Sequence, residues 1–193
     1  MLATAVGRPR DAEIDAAVLR TTVDLLETTG YLQLTIAKIA ARAGTTKPAI
    51  YRRWPTKAHL VHEAVFPAQD FEDLPEGRDL RADVRTLVAL GVQLLARPAA
   101  RAALPGLLAE SAADGALAAE VLGQAAGGTF EWLQGRLDAG IAAGNVRPDV
   151  TTAAVFELVA GAAFVATATR PADAIDERWI DQMVDLIVRG IAP

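Results

Sequence analysis

The chain has 193 residues, of which 52% are hydrophobic but only 5% aromatic, so its core must be built mainly from Ala, Leu, Val and Ile. It has no cysteine, which excludes disulfides and thiolate metal sites. The net charge of −5 is uneven: residues 1–60 carry nine basic and five acidic side chains, and residues 61–193 carry ten and nineteen. A basic end on an acidic protein indicates a nucleic-acid-binding module attached to another domain.

The first segments in chain order are a basic arm and a helix. Residues 1–10 end in Gly7-Arg8-Pro9-Arg10 and are expected to be a flexible arm. They contain no apolar stretch of the kind that a secretory signal needs, so a cytoplasmic location is expected. A first helix is predicted over about residues 11–29, with Gly30 ending it.

Residues 34–54 are predicted to form a helix, a sharp turn and a second short helix. Thr35 is a good N-cap residue, and the apolar residues after it share one helical face. Gly44 supplies the left-handed residue that ends this helix, and Thr46 can cap the next one. The second helix should stop near Trp54, which precedes a proline. This arrangement is a helix-turn-helix, whose second helix enters the major groove of DNA.

The second helix of the motif has the composition of a DNA-reading helix. It lacks any acid, and its one clear core anchor is Ile50. A helix with so few apolar residues is poorly suited to a purely structural role. The alternative is an ordinary helical hairpin with a solvated basic face. The polar side chains of this helix are Lys47, Tyr51, Arg52 and Arg53.

A set of residues between positions 35 and 57 occurs at the spacing of a known DNA-binding domain. The set is Thr35, Ile39-Ala40, Ala43-Gly44, Lys47, Ile50-Tyr51, Trp54-Pro55 and Lys57. It resembles the DNA-binding domain of the TetR family, which consists of dimeric transcriptional regulators, most of them repressors. The resemblance covers roughly residues 10–70. It departs at Pro48-Ala49, where many members carry a small residue followed by Thr or Ser, so one hydroxyl that could contact DNA is absent.

Two kinds of DNA contact are expected from these positions. Residues at the start of the recognition helix should meet base edges, and a second group should meet phosphates. The arm should either enter a narrow minor groove or act as a disordered basic tail that raises nonspecific affinity. The base-edge group is Thr45, Thr46, Lys47 and Pro48, the phosphate group is Thr35, Tyr51, Arg52 and Lys57, and the arm group is Arg8 and Arg10.

Six more helices are predicted after the motif, at about residues 57–66, 80–96, 99–113, 116–143, 151 onward and 176–190. Pro105-Gly106 should bend or split the third of these. Abundant alanine without strand alternation predicts an all-α fold. We expect an N-terminal three-helix helix-turn-helix DNA-binding domain over residues 11–57 and a C-terminal helical ligand-binding and dimerisation domain over residues 58–193.

The helix after residue 151 is apolar on both sides. Between residues 153 and 168 its only charge is Glu157. One side can join its own core and the other calls for a partner, although a wholly internal core helix is the alternative. The TetR resemblance implies that the last two helices pair with their symmetry mates in a homodimer. The expected interface residues are Val155, Val159, Ala162, Ala163, Ile180, Met183, Val184 and Ile187. The apolar run at 158–168 is too short to span a membrane.

The expected function is a homodimeric transcriptional repressor that a small molecule releases from a palindromic operator. The resemblance implies that this effector binds inside the second domain and shifts the helix that joins the two domains. The negative charge of residues 61–193 favours a neutral or cationic, mainly apolar effector. The large apolar candidates for its pocket, each of which could equally be plain core, are Phe66, Leu94, Phe130, Trp132, Leu133 and Phe164.

Other functions find less support in the sequence. His59 and His62 lack an evident third ligand, so no metal site is expected. No catalytic constellation is evident, and neither enzymatic activity nor a cofactor is expected. The remaining alternative is a DNA-binding architectural or adaptor protein without an effector. The arginines of the second domain, Arg97, Arg101, Arg136 and Arg147, are expected at the solvated surface or at helix ends.

Overall fold

The computed structural model describes the backbone of residues 9–67, 74, 79–113 and 115–193. Within these residues the chain forms nine α-helices and one short 3-10 helix and contains no strand, which confirms the all-α prediction. The helices are α1 (Pro9–Gln33), α2 (Ile36–Arg42), α3 (Lys47–Tyr51), α4 (Lys57–Val65), α5 (Leu80–Ala96), α6 (Pro98–Ala113), α7 (Gly115–Ala142), α8 (Thr152–Thr169) and α9 (Glu177–Ile191), with the 3-10 helix at Ala172–Ala174.

Most helix ends lie near their predicted positions because side-chain caps fix them. Asp79, Thr151 and Asp176 each accept a hydrogen bond from a first-turn amide of the helix that follows. Outside the helix-turn-helix, one end and one expected break differ from the prediction. α1 begins at Pro9, inside the expected arm, and α6 runs as one helix through Pro105 instead of splitting there.

The first of two compact units comprises residues 1–65 together with residues 102–121. In it, α1 packs against α4 and α2, and α2 packs against α3. The unit extends past the domain boundary expected at residue 57, because α4 packs against α1 and part of α6 contacts Tyr31 and Lys57. Its most deeply buried side chains include Val18, Leu26, Ile39, Ile50 and Leu60.

A close contact between α1 and α6 closes one side of this unit. α1 loses helical geometry at Gly30 (φ 73°), as predicted, and the turn that follows places the Tyr31 ring in the interior at 5% exposure. A β-carbon added to Gly106 would lie 2.0 Å from Cδ1 of Tyr31. The ring therefore lies directly on the α6 backbone, which explains why position 106 needs a glycine.

The second unit comprises residues 66–101 and 122–193, and α5 is its central helix. α5 packs against both α8 and α9. Gly91 allows the close approach to α8, because a β-carbon there would lie 3.3 Å from the Ala163 β-carbon. Leu133 and Leu137 of α7 complete the core.

The side chains expected at a dimer interface belong instead to the core of their own chain. Val155, Val159, Ala163, Ile180, Val184 and Ile187 are all buried within the second unit, and the half-buried Ala162 and Met183 pack against the same core. The sequence could not reveal this, because helical periodicity does not distinguish a side chain that meets its own core from one that meets a partner.

The opposite side of α8 is apolar and exposed. Leu158 and Val165 are 56% and 57% exposed, and Gly161 has open space beside its α-carbon. We name Ala154, Leu158, Gly161 and Val165 the α8 stripe. By length and composition α8 could also cross a membrane, contrary to the expectation from its shorter uninterrupted apolar run, although core helices of other proteins share these properties.

Ion pairs join the helices of the second unit. The carboxylate of Asp83 is 1% exposed and accepts a hydrogen bond from Nε of Arg136 at 2.6 Å. Arg136 was expected at the solvated surface or at a helix end, but it forms an ion pair with a buried carboxylate instead. Arg85 pairs with both Glu177 and Asp181. Charged residues of α5 are thereby tied to α7 and α9.

Both histidines are buried on α4. His59 Nδ1 lies 2.7 Å from the Thr56 hydroxyl. Burial, reinforced by the charge of His59, lowers the pKa of His62 from 6.5 to about 4. Among the described residues no three His, Asp or Glu side chains are grouped so that they could hold a metal ion.

Gly106→Ala should destabilise the protein. The new methyl group would overlap the Tyr31 ring, and such overpacking costs about 1–3 kcal/mol of unfolding free energy. The matched control is Gly135→Ala, also on an α-helix, where nothing lies within 4 Å of the added β-carbon. That substitution should stabilise by about 0.5–1 kcal/mol. Urea denaturation measures both, and equal effects of the two substitutions would contradict this packing.

Acid should destabilise the fold through His62. As the pH falls, the unfolded chain protonates this side chain near pH 6.5, whereas the folded chain does so only near pH 4. The unfolded state therefore binds the proton first, and about 2 kcal/mol of unfolding free energy should be lost between pH 7.5 and pH 5. His62→Gln should lose correspondingly less over this interval in denaturation curves. The same loss in both proteins would show that His62 does not carry it.

Candidate nucleic-acid interface

The helix-turn-helix forms as predicted from residues 34–54. Thr35 caps α2 by accepting from the Lys38 amide at 3.3 Å, and Thr46 caps α3 by accepting from the Ala49 amide at 3.3 Å. Gly44 adopts φ 67° in the turn between them. α3 is shorter than expected and ends at Tyr51, although its final turn continues to a buried Trp54. These caps and this turn fix the direction of α3.

One side of α3 is fully presented to solvent. Ile50 is the only buried residue of the helix, at 1% exposure. Thr45 is half-buried, and the other residues of the predicted base-edge group are exposed. Thr46 uses its hydroxyl oxygen as a cap, which leaves its hydroxyl proton available to donate. The exposed residues brought together here are Thr46, Lys47, Pro48, Tyr51 and Arg52, with Thr35 exposed at the start of α2.

The two arginines after α3 are in different situations. Arg53 pairs with Asp15 of α1 at 2.7 Å, whereas Arg52 makes no ion pair within the described part of the chain. Trp54 donates its indole N–H to Glu63 of α4 at 2.7 Å. Asp15 and Glu63 thus hold the end of the recognition segment, and no local sequence pattern identified either residue.

Lys57 is already engaged in the free protein. Its ammonium group lies 3.8 Å from the centroid of the Tyr31 ring and 3.2 Å from the carboxylate of Glu110 on α6. Lys57 was predicted as a phosphate contact, and it keeps its position at the start of α4. The engagement with Glu110 spans more than fifty residues of sequence and has no local signal.

The predicted DNA contacts of the arm rest on Arg8 and Arg10. Arg8 lies outside the described residues, and Arg10 is described only as part of the α1 backbone. α1 starts at Pro9, so the last two residues of the expected arm belong to this helix.

The predicted effector residues of the second unit are divided among the end of α4, α5, α7 and α8. Trp132 and Leu133 of α7 belong to the main core, and Phe130 contacts Phe156 with ring centroids 6.1 Å apart. The sequence did not single out Thr129, whose hydroxyl is buried near Trp132 on the same face of α7. Neither that hydroxyl nor the Trp132 indole N–H has a hydrogen-bond partner among the described residues. The remaining candidates are the buried Leu94 and the half-buried Phe66 and Phe164.

Comparison with solved structures shows the same fold. A TetR family transcription regulator, SCO0332, shares 26% identity and a TM-score of 0.66, over 94% of this chain and 100% of that one. GusR of Salmonella enterica shares 16% identity and a TM-score of 0.68, over 97% and 99% of the two chains.

Sequence comparison points to the same family. An uncharacterized HTH-type transcriptional regulator of Mycobacterium tuberculosis is 47% identical over 53 residues, which make up 28% of this chain and 24% of that protein. The match thus spans about a quarter of the length of this curated relative. The family model of bacterial regulatory proteins, tetR family, matches residues 18–64, and that of the Tetracyclin repressor-like C-terminal domain matches residues 74–187. The chain therefore belongs to the TetR family of bacterial regulatory proteins.

Proposed function

We propose that this protein is a dimeric, sequence-specific DNA-binding regulator that acts in the cytoplasm as a repressor and leaves its operator when a small molecule binds. The observation that carries the proposal is the exposed, acid-free face of α3 on a capped helix-turn-helix. A helix of this kind reads base edges from the major groove, while surrounding basic and hydroxyl groups fix it on the phosphates.

The residues around α3 have separate roles in this proposal. Lys47 and its neighbours Thr45, Thr46 and Pro48 read bases from the first turn. Tyr51 and Arg52, at the other end of α3, bind phosphates together with Thr35 and Lys57. Arg8 and Arg10 add electrostatic contacts from the chain start. The paired Arg53 has a structural role, because Asp15 neutralises it.

We propose that the α8 stripe is covered by a second copy of the chain. An exposed apolar helix face requires cover, and Gly161 and Ala154 allow close approach of another helix. Leu186 of α9 is a further exposed apolar side chain of this unit, at 60% exposure. A dimer built here would present two recognition helices to successive major grooves of a palindromic operator, about 34 Å apart.

The effector in this proposal is a mainly apolar molecule that carries a hydrogen-bonding group. Buried polar groups without partners cost about 1–3 kcal/mol each, and Thr129 and Trp132 each have such a group on one face of α7. A carbonyl or hydroxyl group on the effector would satisfy both. The buried carboxylate of Asp83 in the same unit is already paired with Arg136, which fits a neutral effector better than a charged one. Release of operator DNA by such a molecule would separate this function from an effector-independent architectural protein.

Lys47→Ala and Tyr51→Phe should affect DNA binding differently. Loss of a base contact at Lys47 should cost about 1–3 kcal/mol and relax the sequence preference. Loss of the Tyr51 hydroxyl should weaken all sequences about equally, as a lost phosphate contact does. Affinities measured across an operator library distinguish the two. Unchanged relative affinities for Lys47→Ala would refute the base-reading role.

Leu158→Glu should convert the dimer to a monomer, because it places a charge in the centre of the α8 stripe. Affinity for a palindromic operator should fall with it, since each monomer binds only one half-site. The matched control is Leu108→Glu, an equally large change at an exposed leucine of α6 outside the stripe. Sedimentation velocity at micromolar concentration measures both variants. A wild-type monomer, or a dimeric Leu158→Glu variant, would contradict this interface.

A further inference from the structure

Three side chains of the first unit form a layered contact that the proposed function does not explain. The Tyr31 ring lies on the α6 backbone at Gly106, the Lys57 ammonium lies over the ring, and the Glu110 carboxylate holds the ammonium at 3.2 Å. Lys57 and Glu110 keep only 25% and 39% of their side chains exposed. The ammonium is thus fixed between an aromatic face and a carboxylate.

The pKa of Tyr31 is a second indication that the Glu110 carboxylate lies close to this contact. Burial, and then the nearby Glu110 carboxylate, raise the pKa of the Tyr31 hydroxyl well above its ordinary value. The hydroxyl itself is buried without a hydrogen bond of good geometry in the described part of the chain. Glu110 thus lies close to both the Tyr31 hydroxyl and the Lys57 ammonium, and its ion pair with Lys57 depends on where α6 lies relative to α4.

We propose that Glu110 competes with DNA phosphate for the Lys57 ammonium and thereby sets the affinity of the protein for DNA of any sequence. The inference rests on the proposed function, in which Lys57 meets the DNA backbone. A phosphate that approaches Lys57 must share the ammonium with Glu110 or displace it, and a negative carboxylate beside the contact also repels the phosphate. Glu110 does not touch DNA in this scheme. It acts through Lys57, as a positioning residue.

The salt dependence of binding distinguishes this role from a structural one. Each phosphate that a protein neutralises adds about 0.9 to the slope of log K against log salt. While Glu110 neutralises Lys57, the contact of Lys57 with phosphate does not add this increment to the slope. Glu110→Gln keeps the shape of the side chain but releases the ammonium, so the slope should steepen by up to about 0.9 per protomer. Affinity near 0.1 M salt should rise several-fold for specific and random duplexes alike.

The experiment is an anisotropy titration of the full-length protein on a random-sequence duplex at several salt concentrations. Glu27→Gln is the matched control, because Glu27 is an exposed acid on α1 of the same unit that makes no ion pair with Lys57. It removes the same charge and should change the slope much less. In a Lys57→Met background, Glu110→Gln should have no further effect. If Glu110→Gln proves unstable in thermal melts, Glu110→Asp replaces it, because its shorter side chain weakens the same ion pair.

Each outcome decides the inference. An unchanged slope in Glu110→Gln, an equal change in Glu27→Gln, or a gain that persists without Lys57 would overturn it while leaving the proposed function intact. A wild-type protein that shows no salt-dependent binding to any duplex would overturn the proposed function, and this inference with it.

Discussion

The DNA-facing surface depends on the burial of one side chain. α3 has only five residues, which is too few for a helix to be stable on its own. Ile50 fixes it to the core, and the Thr46 cap satisfies an amide that would otherwise lack a partner. Every exposed residue of the helix takes its direction from these two. The ion pair of Arg53 with Asp15 and the bond from Trp54 to Glu63 hold the chain immediately after it.

The second unit is organised around α5 in a comparable way. Its apolar face meets α8 through Gly91, and its charged residues meet α7 and α9 through Asp83 and Arg85. Replacing Arg136 would remove a charged partner of the buried Asp83 carboxylate, which is typically much more costly than the pair is worth. These contacts therefore fix both the orientation of the helices around α5 and their distance from it. Among the described residues, the exposed side of α8 remains the main apolar surface that this packing leaves uncovered.

The helices and the helix-turn-helix could be predicted because they depend on neighbouring residues. Contacts between residues that are far apart in sequence could not be predicted in this way. Caps and left-handed turns depend on neighbouring residues, so their positions could be predicted from the sequence. This was the case for Thr35, Gly44, Thr46 and Thr151. Of the bend or split expected at Pro105, the split does not occur, since α6 continues through this residue. The contact of Lys57 with Glu110 and the burial of Val155 and Val184 depend on residues far away in sequence, which periodicity cannot identify.

The first unit is not a continuous stretch of chain, and this has a consequence for its synthesis. The Tyr31 ring is covered by Gly106, and residues 102–121 belong to the same compact unit as residues 1–65. Chains leave the ribosome from the N-terminus onward, because synthesis adds about 5–20 residues per second. The helix-turn-helix therefore emerges well before the α6 segment that completes its packing. During that interval the face of the Tyr31 ring that α6 later covers stays open to solvent.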